Sequence, residues 1–517
     1  MSLATRLDAA LAALPRDFPG PGGAVAVLRA GEVLARHAWG YANAERRIPF
    51  TPATLFRMCS ITKQFTCALV LDACRDPAML DPIIAARLPH LVGPVPSALQ
   101  LCHNQSGLRD YWAVAMLLGS PVEAPFGDAE AWQLIAETRS LHFAPGTRYS
   151  YVNQNFRLLS DALETHTGRG FAELLRSRLF APAGMGSAVL AADTRALPDG
   201  TEGYEGNPAL GFRAAENRIL WTGDAGLAAS LDDMIAWERW IDATREDPDS
   251  LYRRLSTPVA FADGAAASYG FGLARGNAFG RAMTGHGGAL RGWRSHRLYV
   301  PGERVSVVVM FNHLSDANAA AMGLLRAVLD EASAPPQELP PPSWLGVYRE
   351  AETGLSARVE TAGPGRLRLR FGHTPELLEL QPDGSAVAGR TRLRPAADGL
   401  WLERGGENLA SRLVPAGGAA APDIAGRYRC AELGAELAVE EAGGPIHGGF
   451  SGPLGQGRME ALTPIGPDLW LLPCPRALDH TPPGDWTLAF SRDGAGKVAG
   501  VEVGCWLARG LRYERVD

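Results

Sequence analysis

The pattern of apolar and polar positions changes character near residue 330. Before it, apolar residues at helical spacing alternate with short β-branched runs; after it, long helical periodicity disappears. Residues 23–28, a turn at Ala30 and Gly31, and residues 33–40 predict a β-hairpin. Ile61, Phe65, Ala68, Leu69 and Ala73 then recur at the spacing of one helix face. Residues 101–108 predict a short helix ending at Gly107, residues 132–141 another, and residues 158–167 a third. A further helix begins near Leu231 with Ser230 as N-cap. Strand-like segments at 269–273 and 283–289, strands at 295–300 and 304–311, and a helix near 319–329 complete an antiparallel sheet flanked by helices. The fold class expected is α+β.

Residues 331–342, rich in proline, form a semi-rigid linker. Beyond it, short alternating segments between Gly, Pro and Asp turns predict small antiparallel β-barrels. An internal repeat points to two of them: Gly346, Tyr348, Arg349, Glu352, Gly354 and Glu360 recur at constant offset as Gly426, Tyr428, Arg429, Glu432, Gly434 and Glu440. The expected organisation is a domain at 1–331, a linker at 332–342, a β-barrel domain B at 343–416 and a β-barrel domain C at 417–517.

The 517 residues are 46% hydrophobic and 21% charged, as in a globular enzyme of several domains. A net charge of -6 supplies no basic stripe for nucleic acid or an anionic membrane. Asp8 interrupts the apolar run at the N-terminus, which reads as an amphipathic helix rather than a signal sequence. No stretch reaches the ~18 apolar residues of a membrane span. Seven cysteines, odd in number and irregularly spaced, suit free thiols in a reducing cytoplasm.

Ser60 and Lys63 stand three apart at the start of the helix around Phe65, so both project from one face of its first turn. A serine hydroxyl becomes a nucleophile when a neighbouring base takes its proton. Of 50 Lys and Arg residues only Lys63 and Lys497 are lysines. An ammonium can shift its pKa and act as a base where a guanidinium cannot, so Lys63 is placed for its chemistry. Tyr151 and Asn153 are displayed at a helix entrance, and a phenol beside an ammonium is expected to lose its proton more easily and relay protons. His286, followed by Gly287 and Gly288, lies in a strand whose glycines let a substrate backbone approach. Spacings for metal ligation, phosphate loops and dinucleotide binding are missing, and no cofactor or metal is called for.

With Ser60-x-x-Lys63, Tyr151-x-Asn153 and His286-x-Gly288 in this order, the first ~330 residues resemble the penicillin-recognising serine hydrolases. The group includes D-Ala-D-Ala carboxypeptidases, class C β-lactamases, esterases and D-aminopeptidases. Most members carry lysine where this chain has His286; a histidine greets a substrate carboxylate weakly, which disfavours carboxypeptidase and β-lactamase activity. Residues 104–107 also lack the His-Thr-Ser-Gly of related esterases. The histidine variant, the two β-domains and residues 504–510 extend a resemblance to the D-aminopeptidase family over the whole chain. That resemblance implies a β-lactamase-like fold, hydrolysis of N-terminal D-residues from small peptides, amides and esters, and an acyl-enzyme on Ser60. Lys63 and Tyr151 would share the proton transfers, and Asn153 would orient the substrate amide. An oxyanion hole is implied at the backbone N–H groups of Ser60 and Ala289.

An aminopeptidase needs an acid for the substrate's ammonium, and the three motifs supply none. Residues 473–486 form a long loop with four prolines and Asp479 near its middle, suited to presenting a carboxylate at a distance. The resemblance places Asp479 in the cleft, with Arg294 as a second contributor to the pocket. A homodimer, and weak covalent binding of β-lactams, are compatible with the group. The same chemistry would also serve an esterase or a D,D-peptidase; a non-enzymatic penicillin-binding sensor would need an exported or membrane-linked domain.

Overall fold

Ala30 and Gly31 both have positive φ (54° and 79°), the conformation of a two-residue hairpin turn whose twist matches the strands it joins. It connects β1 (Gly22–Arg29) to β2 (Glu32–Asn43). A computed structural model of the chain describes residues 1–332 and 339–516. The hairpin belongs to an eight-stranded antiparallel sheet with β3 (Ile48–Pro49), β4 (Tyr269–Gly270), β5 (Leu273–Ala278), β6 (Arg281–Leu290), β7 (Trp293–Val300) and β8 (Val305–Phe311). Their order is β3-β2-β1-β8-β7-β6-β5-β4.

Alternate residues of β1 enter different cores. Val25 and Val27 join Val307, Val309, Leu324 and Leu325 beneath helices α1 (Leu3–Asp17) and, at the far end of this domain, Ala317–Leu329. Ala24, Ala26 and Leu28 face the opposite helical layer, built from α2 (Thr62–Ala73), α3 (Tyr111–Leu117), α4 (Gln154–Thr167) and α5 (Leu231–Ala243). The helix Ala317–Leu329 is α6. Covering a sheet on both faces explains why β8 reads Val-Ser-Val-Val-Val-Met-Phe and is buried throughout. A buried ion pair, Arg297 to Glu238 at 2.7 Å, ties β7 to α5.

Several elements begin or end away from their expected positions. The helix expected at 101–108 is Ala98–Cys102, with a Ser97–Gln100 capping box, and the helix expected at 132–141 is Asp128–Ala136. Ser230 does cap α5, reciprocally with Asp233. Residues 333–338 of the proline-rich linker lie outside the described residues. Beyond them, eight strands from Gly346–Glu350 to Leu409–Pro415 close a barrel. The last ten strands form a sheet whose path runs from Gly455–Gln456 to Thr463–Gly466 without joining its ends among the described residues. The repeat is physical as well as textual. Tyr348 donates its hydroxyl to Trp344 O and Tyr428 to Ile424 O, both at 2.6 Å, and Gly354 and Gly434 share positive φ.

Candidate active site

The turn that carries Ser60 is a 3-10 segment, Cys59–Ile61, running directly into α2. Cys59 adopts φ 50°, unusual for a residue with a Cβ, and the bend places Ser60 just ahead of the helix rather than within its first turn. Thr62 braces it: Oγ1 donates to Cys59 O at 2.6 Å and accepts from Leu227 N at 2.9 Å. β6 packs onto the same turn, and a Cβ on Gly288 would stand 2.2 Å from Met58 O and from Ser295 Oγ. Glycine at 288 is a steric requirement of this contact. Gly287 is different, because a Cβ there would meet His296 at an ordinary 3.5 Å.

Lys63 is fully buried, and its three N–H bonds are all engaged: Nζ donates to Ser60 Oγ at 3.1 Å, Asn153 Oδ1 at 2.9 Å and Asp224 O at 2.7 Å. Burial lowers its pKa to about 8, against the pull of Asp224, Asp110 and Asp479. A usable fraction of neutral amine therefore lies beside the serine at neutral pH. The Tyr151 ring lies 4.9 Å from Nζ, yet burial holds its phenol well above the ordinary value, with Ser60 opposing. The expectation that the ammonium would ease deprotonation of Tyr151 does not hold: desolvation outweighs it.

Asn153 makes two side-chain bonds within the protein. Its Oδ1 accepts from Lys63 Nζ, and its Nδ2 donates to Asp110 Oδ2 at 2.9 Å. The carboxamide links Lys63 to Asp110 and leaves one Nδ2 hydrogen unused by these two bonds. His286 Nδ1 lies 2.5 Å from Gly287 O, which can only accept, so Nδ1 carries the proton. Nε2 then accepts from the Tyr269 hydroxyl at 3.1 Å. Burial and the nearby Lys63 charge lower His286 to about 3, leaving a neutral imidazole where a cation would meet a carboxylate.

A cavity of about 580 Å³ opens over Ser60. Its lining includes Tyr151, His286, Gly287, Gly288, Ala289 and Arg294 from the catalytic domain, and Ala477, Asp479 and Thr481 from the third. Pairing of β6 with β5 stops at Gly285, so residues 286–290 pair with β7 on one side and have no strand on the other among the described residues. Asp479 is buried; its Oδ1 accepts from Thr481 N at 3.0 Å, and no ion-pair partner lies within reach among the described residues. Burial and then Asp110 push its pKa up to about 7. Its loop is anchored by Arg476, which pairs with Glu123 and, at 3.5 Å, with Glu205. Arg294 donates Nη1 to Leu290 O and Trp293 O at 2.8 Å, bracing the β6–β7 turn at the cavity wall.

Three residues escaped the sequence reading. Asp110, fully buried beside Asn153, carries no signal beyond that of a helix cap. Asp224 contributes a backbone carbonyl, for which side-chain identity gives no clue. Tyr269 reads in the sequence only as part of a strand, although its hydroxyl meets His286 Nε2 at 3.1 Å.

The model described as Beta-lactamase matches residues 7–331, and that described as D-aminopeptidase, domain B, matches residues 337–514. A D-aminopeptidase of Gluconobacter oxydans (strain 621H) is 61% identical over 524 residues, covering 100% of this chain and 99% of its own. The chain belongs to the D-aminopeptidase family. Another member, from Brucella canis, is 49% identical over 99% of this chain and 98% of its own. Among solved structures, the octameric penicillin-binding protein homologue from Pyrococcus abyssi aligns with TM-score 0.53 at 19% identity, over 79% of this chain and 99% of its own. A D-amino acid amidase from Ochrobactrum anthropi SV3, complexed with L-phenylalanine amide, aligns with TM-score 0.51 at 20% identity, over 64% and 99%. Both share the fold of the catalytic domain. Among the described residues no group of side chains is arranged to hold a metal, and no helix is long and apolar enough to cross a membrane.

Proposed function

We propose that this protein is a serine D-aminopeptidase that releases the N-terminal D-residue from small peptides, amides and esters. Ser60 Oγ attacks the substrate carbonyl while its proton passes to the neutral amine of Lys63. The tetrahedral oxyanion is met by the backbone N–H groups of Ser60 and Ala289; such donors are worth roughly 3 kcal/mol each in the transition state. Collapse breaks the C–N or C–O bond, and the proton held by Lys63 reaches the leaving group through the Tyr151 hydroxyl. Water then attacks the ester on Ser60 along the same route in reverse. The raised pKa of Tyr151 suits a neutral relay, which makes Lys63 the base for acylation.

The observation that carries the reading is Asp479, a buried acid that makes no ion pair among the described residues and lines the same cavity as Ser60. A carboxylate there answers the substrate's free ammonium, and its loop closes the space an N-acylated substrate would need. Neutral His286 offers nothing to a free carboxylate, which weighs against carboxypeptidase and β-lactamase activity. Seven buried free thiols support a cytoplasmic enzyme. Rates with D-alanyl p-nitroanilide, its L-enantiomer, nitrocefin and p-nitrophenyl acetate test the proposal. Turnover of the D-anilide well above the other three is expected; preference for nitrocefin or the simple ester would replace it with a β-lactamase or esterase reading.

A further inference from the structure

Behind the cavity, Asp110 joins the catalytic lysine to the third domain. Its Oδ1 accepts from Trp112 N at 3.0 Å and caps α3; Oδ2 accepts from Asn153 N at 2.7 Å and Asn153 Nδ2 at 2.9 Å. A carboxamide has one donor end and one acceptor end. With Nδ2 drawn to the carboxylate, Oδ1 must face Lys63 Nζ, where it accepts at 2.9 Å. The backbone of Asp110 is held from the other side by domain C: its N–H donates to Leu507 O at 2.9 Å, and Leu507 itself lines the cavity. Next to it, Arg109 donates Nε to Arg509 O at 2.9 Å and Nη1 to Glu432 Oε1 at 3.0 Å. Leu507 lies in the turn between the strands Val498–Cys505 and Ala508–Arg515.

We infer that Asp110 is a positioning residue that orients the Asn153 carboxamide, and through it Lys63, from a seat held by the Leu507 turn of the third domain. The inference rests on Lys63 acting as the base of the proposed D-aminopeptidase. It gives the third domain a share in the chemistry, beyond its part in selecting substrates. A helix cap alone would not need both bonds to Asn153, and a serine at 110 separates the two roles. Its hydroxyl still caps α3 but is too short to hold Asn153.

The test compares wild type with Asp110→Ser and Asp110→Asn in the full chain, using D-alanyl p-nitroanilide. Titration of reactive Ser60 with a serine-directed inhibitor expresses kcat per competent site and removes the effect of partial misfolding. In Asp110→Ser, kcat per site is expected to fall about 10- to 100-fold with KM changed less than threefold, since a displaced general base costs rate rather than binding. The acid limb of the kcat profile moves to lower pH. Asp110 is one of the carboxylates favouring charged Lys63; the others, Asp224 and Asp479, stand on different segments, and the Cys59 thiol, pushed up to about 12 by burial, the Tyr151 ring and neutral His286 complete the surroundings. Asp110→Asn removes the charge, so the acid limb is again expected to move to lower pH, and its one amide oxygen can serve Trp112 N or Asn153 but not both, so kcat per site falls as in Asp110→Ser when the amide nitrogen faces Asn153. Wild-type kcat per site with an unmoved acid limb in either variant overturns the inference, as does the lack of titratable sites in both, which would make Asp110 a folding residue. Failure of wild type itself to cleave the D-anilide would instead overturn the functional proposal.

Discussion

Lys63→Arg keeps the charge at the centre of the site and removes the ability to lose it. Burial brings the Lys63 ammonium to about 8, so roughly a tenth of the molecules hold a neutral amine at pH 7. A guanidinium stays protonated up to at least pH ~12, and its neutral fraction at pH 7 is ~10⁻⁵ or less, some ~10⁴-fold below that of the lysine. At about 1.4 kcal/mol per decade this removes about 5 kcal/mol of access to the reactive form. Geometry adds to it: Ser60 Oγ, Asn153 Oδ1 and Asp224 O converge on a single nitrogen at 2.7–3.1 Å, a cradle for a point donor, not for a planar fork. General-base catalysis contributes about 10²- to 10⁴-fold, so hydrolysis of D-alanyl p-nitroanilide by Lys63→Arg is expected to fall at least ~10³-fold. Lys63→Ala should be scarcely worse. Thermal unfolding of the variant, followed by circular dichroism, separates lost chemistry from lost fold. Retention of a tenth of the wild-type kcat by Lys63→Arg would refute the assignment of Lys63 as base and return that role to Tyr151.

For the wild-type enzyme, kcat should rise with pH to a plateau above about 8, because the active form of Lys63 is the neutral one. The kcat/KM profile should be bell-shaped: Asp479 must be ionised, which develops above about 7, while the substrate's own ammonium is lost near ~8. Flat profiles between pH 6 and 9 would contradict both assignments. Asp479→Asn should raise KM for D-aminoacyl anilides about 10- to 100-fold, the worth of a charged hydrogen bond, and leave p-nitrophenyl acetate untouched. Deleting residues 475–484 should in addition admit penicillins; an unchanged substrate profile would remove the loop from any gating role. His286→Lys should shift relative kcat/KM toward substrates ending in a carboxylate and toward β-lactams, and equal effects on carboxylate and non-carboxylate substrates would count against this role for position 286.

The catalytic domain's sheet could be read from residue patterns because each strand has a local cause. The Ala30–Gly31 turn, the run of β8, apolar except for Ser306, and the Ser230 cap all act within a few residues. The two C-terminal units were visible through Tyr348 and Tyr428, whose hydroxyl bonds recur because the same turn is built twice. Closure of a sheet is a long-range property, and alternation alone could not tell the closed barrel from the open ten-stranded sheet. Within the site, Ser60 and Lys63 stand three residues apart across the junction of the 3-10 segment and α2, so their proximity is set locally. The pKa of Tyr151 depends on how many buried neighbours strip its water, which no local motif records. Asp110 and Leu507, nearly 400 residues apart in sequence, meet through a backbone bond that no side-chain pattern announces.

In the proposed reaction a D-aminoacyl group is carried on Ser60. Wild-type protein quenched in acid within milliseconds of mixing with a D-alanine ester should show, by intact mass and peptide mapping, one added D-alanyl group on the peptide containing Ser60. Ser60→Ala should show none and lose hydrolysis while unfolding at the wild-type temperature. An adduct on a different serine, or Ser60→Ala retaining turnover of D-alanyl p-nitroanilide, would contradict the account.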